Sequence, residues 1–148
     1  MPDLKLAAFD AEDLAVLSAH LQDALVRTGD MVLLPRERRF VLVCSRFDRS
    51  EPGRYKAGRE AFVRRRTGVR FETVRGARLM GIDRGQDDAI LVLLSVGFDP
   101  AGPETPEGTI LLTFAGGGAV RLDVECIEAA LADLGAAWET TRKPEHEV

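Results

Sequence analysis

The chain has 148 residues, with 20 Lys plus Arg, 24 Asp plus Glu and a formal net charge of −4. That length suits one domain, and 45% hydrophobic with 30% charged residues argues against a disordered or membrane-embedded chain. The average hides a split: residues 31–84 hold 15 basic and 6 acidic side chains, while the remainder holds 5 and 18.

In chain order, residues 4–9 (LKLAAF) read as a short first strand. Asp10 or Asp13 then offers a helix N-cap, with Glu12 favourable near the positive end of the helix dipole. Leu14, Leu17, Leu21, Ala24 and Leu25 follow at helical spacing, so the expected amphipathic helix covers 11–27, with Gly29 as its stop. Met31–Leu34 and Phe40–Phe47 flank Pro35-Arg36-Glu37-Arg38, a hairpin signal. In the second of these runs Phe40, Leu42 and Cys44 share one face, and Val41 and Val43 the other.

Residues 48–66 are polar and rich in Arg, and read as a long surface loop. Residues 69–74 alternate, Gly76 breaks the phase as a bulge would, and 77–82 resume. Gly85 to Asp88 form a turn. Ile90–Phe98 reads as a central strand, the proline-rich 99–107 as a loop, and Thr109–Phe114 as a strand. Gly116 to Gly118 form a turn into the half-buried strand 120–124. Ile127, Ala130, Leu131 and Leu134 then fall at helical spacing, predicting a closing helix that Gly135 stops. Residues 1–138 are expected to form one domain and 139–148 a flexible polar tail.

The expected class is α+β: a predominantly antiparallel, strongly bent sheet or small open barrel, with an N-terminal helix and a closing C-terminal helix. A pleckstrin-homology-like barrel ends this way, an analogy of fold that carries no function.

No apolar run approaches the ~18 residues of a membrane span. The start of the chain lacks a basic segment ahead of an apolar one, so no signal peptide is read and a cytoplasmic location is expected. Cys44 and Cys126 are too few for a disulfide scaffold or zinc site and sit among apolar neighbours. His20 lies at the edge of the apolar stripe, three residues before Asp23, a spacing that gives a local interaction more often than a ligand set. Gly53 to Glu60 has the glycine spacing of a phosphate loop but lacks the Lys-Ser/Thr that must follow. The triple glycine leads into a strand, not the helix that a dinucleotide loop requires. No metal or cofactor is implied, and no nucleophile constellation is visible.

The basic middle is the remaining chemical feature. Arg46, Arg49, Arg54, Tyr55, Lys56, Arg59, Arg64, Arg65 and Arg66 cluster around the expected loop as a candidate surface for an anionic partner. Guanidinium groups clamp carboxylate or phosphate bidentately, and Tyr55 could stack on a base. The structural alternative is that these arginines are solvated or pair with the chain's own acidic remainder.

The stretches EDLAVLSAHLQDALV (Glu12–Val26), LLPRERRFVLVCSRFD (Leu33–Asp48) and GTILLTFAGGGAVRLDVECIEAALADLGAAW (Gly108–Trp138) resemble an uncharacterised bacterial family, found mainly in alphaproteobacteria and known as domain of unknown function 2948. The triple glycine, Arg121, the DVECIEA run and Trp138 look like its hallmarks. The resemblance implies a small single-domain cytosolic protein and transfers no catalytic residue. Arg121, Asp123, Glu125 and Glu128 form a candidate structural polar cluster at the strand–helix junction. There Arg121 would bridge Glu125 or Asp48, or the group would offer a recognition surface.

The sequence therefore reads as a protein-interaction or self-association module that uses the Arg-rich segment, more readily than as an enzyme. RNA or single-stranded nucleic-acid binding by the same segment is the second reading. A small-molecule or enzymatic site in the concave face of the sheet is the third.

Overall fold

A computed structural model describes residues 3–49, 55–56, 59–60, 62–83, 85–135 and 138–140. Among these described residues there are one helix, α1 (Ala11–Leu21), and twelve strands. These are β1 (Lys5–Ala8), β2 (Ala24–Leu34), β3 (Arg39–Asp48), β4 (Tyr55–Lys56), β5 (Arg59–Glu60), β6 (Phe62–Phe71), β7 (Val74–Met80), β8 (Ile90–Pro100), β9 (Gly108–Phe114), β10 (Ala119–Val124), β11 (Ala129–Asp133) and β12 (Trp138–Thr140). Every pairing is antiparallel. The main sheet runs β1-β11-β6-β3-β2-β8-β9-β10-β7, with β12 also on β6, and β4 and β5 pair only with each other. No helix among the described residues is long and apolar enough to cross a membrane.

The helix starts where its capping chemistry dictates. The Asp10 side chain accepts from the Asp13 N–H at 2.7 Å, and the Asp13 side chain accepts from the Phe9 N–H at 3.0 Å, so each end of the first turn satisfies the other. Leu14, Leu17 and Leu21 form its buried stripe. The helix stops six residues short of the expected Arg27. Asp23 takes a left-handed backbone (φ 69°), and Ala24 to Arg27 pair instead with β8. The apolar residues that looked helical at 24 and 25 gain more from two strand neighbours than from a further helical turn.

The expected strands and turns at 31–47, 90–98 and 109–124 are present, with Gly116 and Gly117 at positive φ in the β9–β10 turn. The expected closing helix is not seen. Residues 129–133 form β11, with Ala129, Leu131 and Asp133 facing inward. In an Ala-rich stretch the same apolar residues satisfy both periods, and β1 and β6 on either side supply backbone partners that a lone terminal helix would forgo. The pleckstrin-homology-like ending therefore falls away, and the architecture is mostly sheet. The basic segment also differs from expectation: 62–66, placed in the surface loop, open the long strand β6.

The sheet bends sharply at two corners. Thr73 (φ 57°) turns β6 into β7, and residues 125–128 carry β10 into β11, the corners being tied by Glu72 N–H to the Glu128 carbonyl at 2.8 Å and Glu125 N–H to the Thr73 carbonyl at 3.1 Å. One apolar core fills the concave side, joining α1 to Phe40, Phe71 and Phe114 and to the inward residues of both halves of the sheet. The third reading, a ligand site in the concave face, meets this packed interior. A one-residue irregularity in β8 near Leu94 frees the Val96 N–H, which donates to Ser18 Oγ at 2.8 Å and locks the helix to the sheet.

The sheet does not close. Thr28 and Gly29 bond back to Ala89 and Asp87, and Val74 bonds to Arg38, but between these ties β2 and β7 are unpaired. A crevice of about 410 Å³ lies between them, over Met31, Leu33, Phe40, Ala77 and Leu79.

Of the glycines described, Gly108 leaves the least room for a side chain. A Cβ there would press on the Asp99 carbonyl and lie 2.6 Å from Phe98 Cζ. Gly108→Ala is expected to destabilise the fold by about 1–3 kcal/mol through overpacking, read as a lowered urea midpoint with an unchanged m-value.

Candidate functional sites: an internal ion network and an outer apolar trough

Four charged side chains of the basic middle and the chain's end meet inside the sheet. Along β3 the inward row is Phe40, Leu42, Cys44, Arg46 and Asp48, so the apolar face of the strand turns ionic at its end. Register sets Arg46 opposite Arg65 and Cys44 opposite Thr67 on β6, and Thr67 opposite Asp133 on β11. Arg46 clamps Asp133 with Nε to Oδ1 at 3.2 Å and Nη2 to Oδ2 at 2.9 Å. Arg65 Nε donates to Asp48 Oδ2 at 2.9 Å. Asp133 also accepts from Thr67 Oγ1 at 2.8 Å and from the Leu4 N–H at 2.8 Å, which anchors the start of β1. The side chains of Arg46, Arg65 and Asp48 are each 4% exposed and that of Asp133 is 0%.

The charges of this quartet cancel, and that is why it can be buried. Burial by itself would raise the Asp133 pKa. The hydrogen bonds from Arg46, Leu4 and Thr67 outweigh it and hold the carboxyl below its usual value. Beside the network, burial pushes the Cys44 thiol up to about 12, with Asp133 adding to the rise and Arg46 and Arg64 opposing it.

The expected anion surface is thus divided by the fold. Arg46 and Arg65 are interior and face the chain's own carboxylates, which corrects their reading as part of an exposed surface for an anionic partner. Arg64 is also buried, with Nη1 donating to the Ser45 carbonyl at 3.0 Å and its guanidinium over the Phe47 ring. Arg49 stacks on the same ring and pairs with Asp23 at 2.7 Å. Arg66 is exposed. Arg54 lies outside the described residues, as do the side chains of Tyr55, Lys56 and Arg59. The polar cluster proposed around Arg121 is not assembled either. Asp48 is in the internal network, Glu125 pairs with Arg38 at 2.6 Å, Asp123 pairs with Arg75 at 3.0 Å, and Glu128 is exposed. No closing helix is there for Arg121 to fix. Among the described residues no group of three or more His, Cys, Asp and Glu side chains is placed to hold a metal.

A surface feature that sequence reasoning missed lies on the outer face of the same strands. Register aligns Lys5, Ala132, Gly68 and Val43 in one row, and Ala7, Ala130, Arg70 and Val41 in the next. Small residues on β1, β11 and β6 leave a floor between Val41 and Val43 on one side and half-exposed Leu134 on the other. Leu134 overhangs Gly68, whose absent Cβ would lie 3.2 Å from Leu134 Cδ1. The trough has a volume of about 680 Å³. Lys5 and Arg70 border it, Arg70 pairing with Glu72 at 3.2 Å, and Arg66 stands next along β6. The alanines carried the signal in the sequence, but only a strand at 129–133 turns them to one face.

Fold and site together define a bent, open antiparallel-sheet protein with a neutralised ionic interior and an apolar outer trough. The chain belongs to the family described as protein of unknown function DUF2948, whose model matches residues 4–146. No curated protein and no solved structure matches it.

Two outcomes follow from the network. A group with a lowered folded pKa stabilises above its unfolded value and loses that contribution as pH falls through the folded one. Asp133→Asn should therefore cost about 3–5 kcal/mol near neutral pH, since it strands buried Arg46. The gap to the parent should narrow below about pH 4, the ordinary carboxylate range, in urea melts taken across pH. In a Cys126→Ser background, Cys44 should react with a thiol reagent at pH 8 only as fast as the chain unfolds, and at once in denaturant.

Proposed function

We propose that the protein is an interaction module that docks an acidic, amphipathic helix of a partner protein in the outer trough. The observation that carries this reading is the apolar floor of Ala7, Gly68, Ala130 and Ala132 bordered by the cations Lys5 and Arg70, with exposed Arg66 next along β6. Small floor residues let a helix approach the sheet closely, and its apolar stripe would cover Val41, Val43 and Leu134. Acidic residues flanking that stripe complement the basic border, giving orientation and a salt-sensitive association rate. The charge separation seen in the sequence supports the reading in altered form. The excess that matters is the part left outside after Arg46 and Arg65 are neutralised within.

The test is a titration with a synthetic Leu/Glu amphipathic peptide and its Leu/Lys counterpart, followed by backbone amide shifts. The acidic peptide should perturb residues 41–43, 68–70 and 130–134, weaken with salt, and lose at least tenfold in affinity on Ala132→Glu. Equal binding of the basic peptide, or indifference to Ala132→Glu, would remove the proposal. A dimer in light scattering that Ala132→Glu abolishes would reassign the trough to a second copy of the chain.

A further inference from the structure

On the other half of the sheet, the outer face of β7, β10 and β9 carries an unusual charge arrangement. Arg78 and Arg121 are direct cross-strand partners. Both are exposed, and neither has a carboxylate within ion-pair distance among the described residues. Like charges directly opposite on antiparallel strands destabilise the pairing. The neighbouring acids do not relieve them. Asp123, two residues from Arg121 on the same face, is held by Arg75 at 3.0 Å, and Glu107 is held by the same guanidinium at 2.7 Å. Arg75 thus draws the local carboxylates to one side and leaves the other side positive.

The ground beside the two arginines is open. Gly76 lies on the same face of β7, and a Cβ there would meet nothing within 4 Å. Thr109, opposite Asp123 on β9, adds a hydroxyl to the rim, and Leu111, opposite Arg121, adds an apolar patch. The concavity over Gly76, Ala77, Arg78, Thr109, Arg121 and Asp123 has a volume of about 380 Å³, room for a phosphate and a small organic group, and the Asp123 carboxylate on its rim is the one held by Arg75. Two guanidinium groups on strands ~5 Å apart can converge on one tetrahedral dianion, each offering paired N–H donors.

We infer that Arg78 and Arg121 form a binding site for a phosphate dianion, either free or as a small phosphomonoester. The bound dianion replaces the cross-strand repulsion with two charge-assisted contacts, so binding also strengthens the β7–β10 pairing at the open end of the sheet. The site is separate from the trough, and either can fail without the other.

The experiment uses the full chain with inorganic phosphate and phenyl phosphate as probes, against chloride at matched ionic strength. Melting temperature and arginine side-chain NMR signals are the readouts. Both probes should raise the melting temperature saturably, and shift the Arg78 and Arg121 Nε–H signals and no other arginine's. Arg78→Gln and Arg121→Gln should each reduce affinity at least tenfold. In chloride alone both variants should melt at or above the parent temperature, because each removes the repulsion. Tighter binding of phenyl phosphate than of inorganic phosphate assigns the organic ester; equal binding assigns the free anion. An equal phosphate response in parent and variants, or a lower melting temperature of both variants in chloride, would overturn the inference.

Discussion

The clamp between Arg46 and Asp133 is the constraint on which the architecture rests. It joins β3 to the last inward residue of β11, and Asp133 in turn fixes β1 through Leu4 and β6 through Thr67. Four strands thus converge on one carboxylate. A buried ion pair of this kind adds little net stability over a well-packed apolar substitute, but it penalises any register that leaves one charge alone. In this chain it penalises a helical 129–133, which would take Asp133 out of its place beside Thr67 and leave Arg46 unmatched in the interior. Beside this network Cys44 stays a protonated packing group, because burial penalises its thiolate.

Neutralising part of the basic segment internally changes what the surface offers. The arginines that looked most concentrated in sequence, 64–66, point to alternate faces of β6. Arg65 goes to the network, Arg64 to the Ser45 carbonyl and the Phe47 ring, and Arg66 alone stays outward. The outer surface is then divided between two unlike regions. One is the apolar trough of β1, β11, β6 and β3, where small side chains expose the sheet. The other is the arginine pair of β7 and β10, where no carboxylate among the described residues pairs with either charge. They lie on the two halves of a bent sheet whose middle is held by α1.

The strands β3, β8, β9 and β10, the Pro35 turn, the glycine turn after Phe114 and the Asp10 cap were all legible, because each depends on patterns within a few residues. The family was legible for the same reason, in local motifs. The helix ends were not. Ala24–Arg27 and Ala129–Asp133 are apolar enough to suit either period, and the choice between them was made by neighbouring strands distant in sequence. The candidate surfaces were less legible still. The trough's alanines suit a helix as well as a strand, and Arg78 carries no local signal, because opposition across two strands leaves no trace in either strand alone.

Sequence by itself determined that this is one antiparallel sheet-forming chain with an N-terminal helix and a positive middle, since alternation, turn chemistry and capping are local physics. Tertiary structure decided where the charges of the positive middle go. Arg46 and Asp133 are 87 residues apart, and no local period records that they will meet. Only the pairing of β3, β6 and β11 brings opposite charges into one buried space, where the cost of burying each alone forces them together.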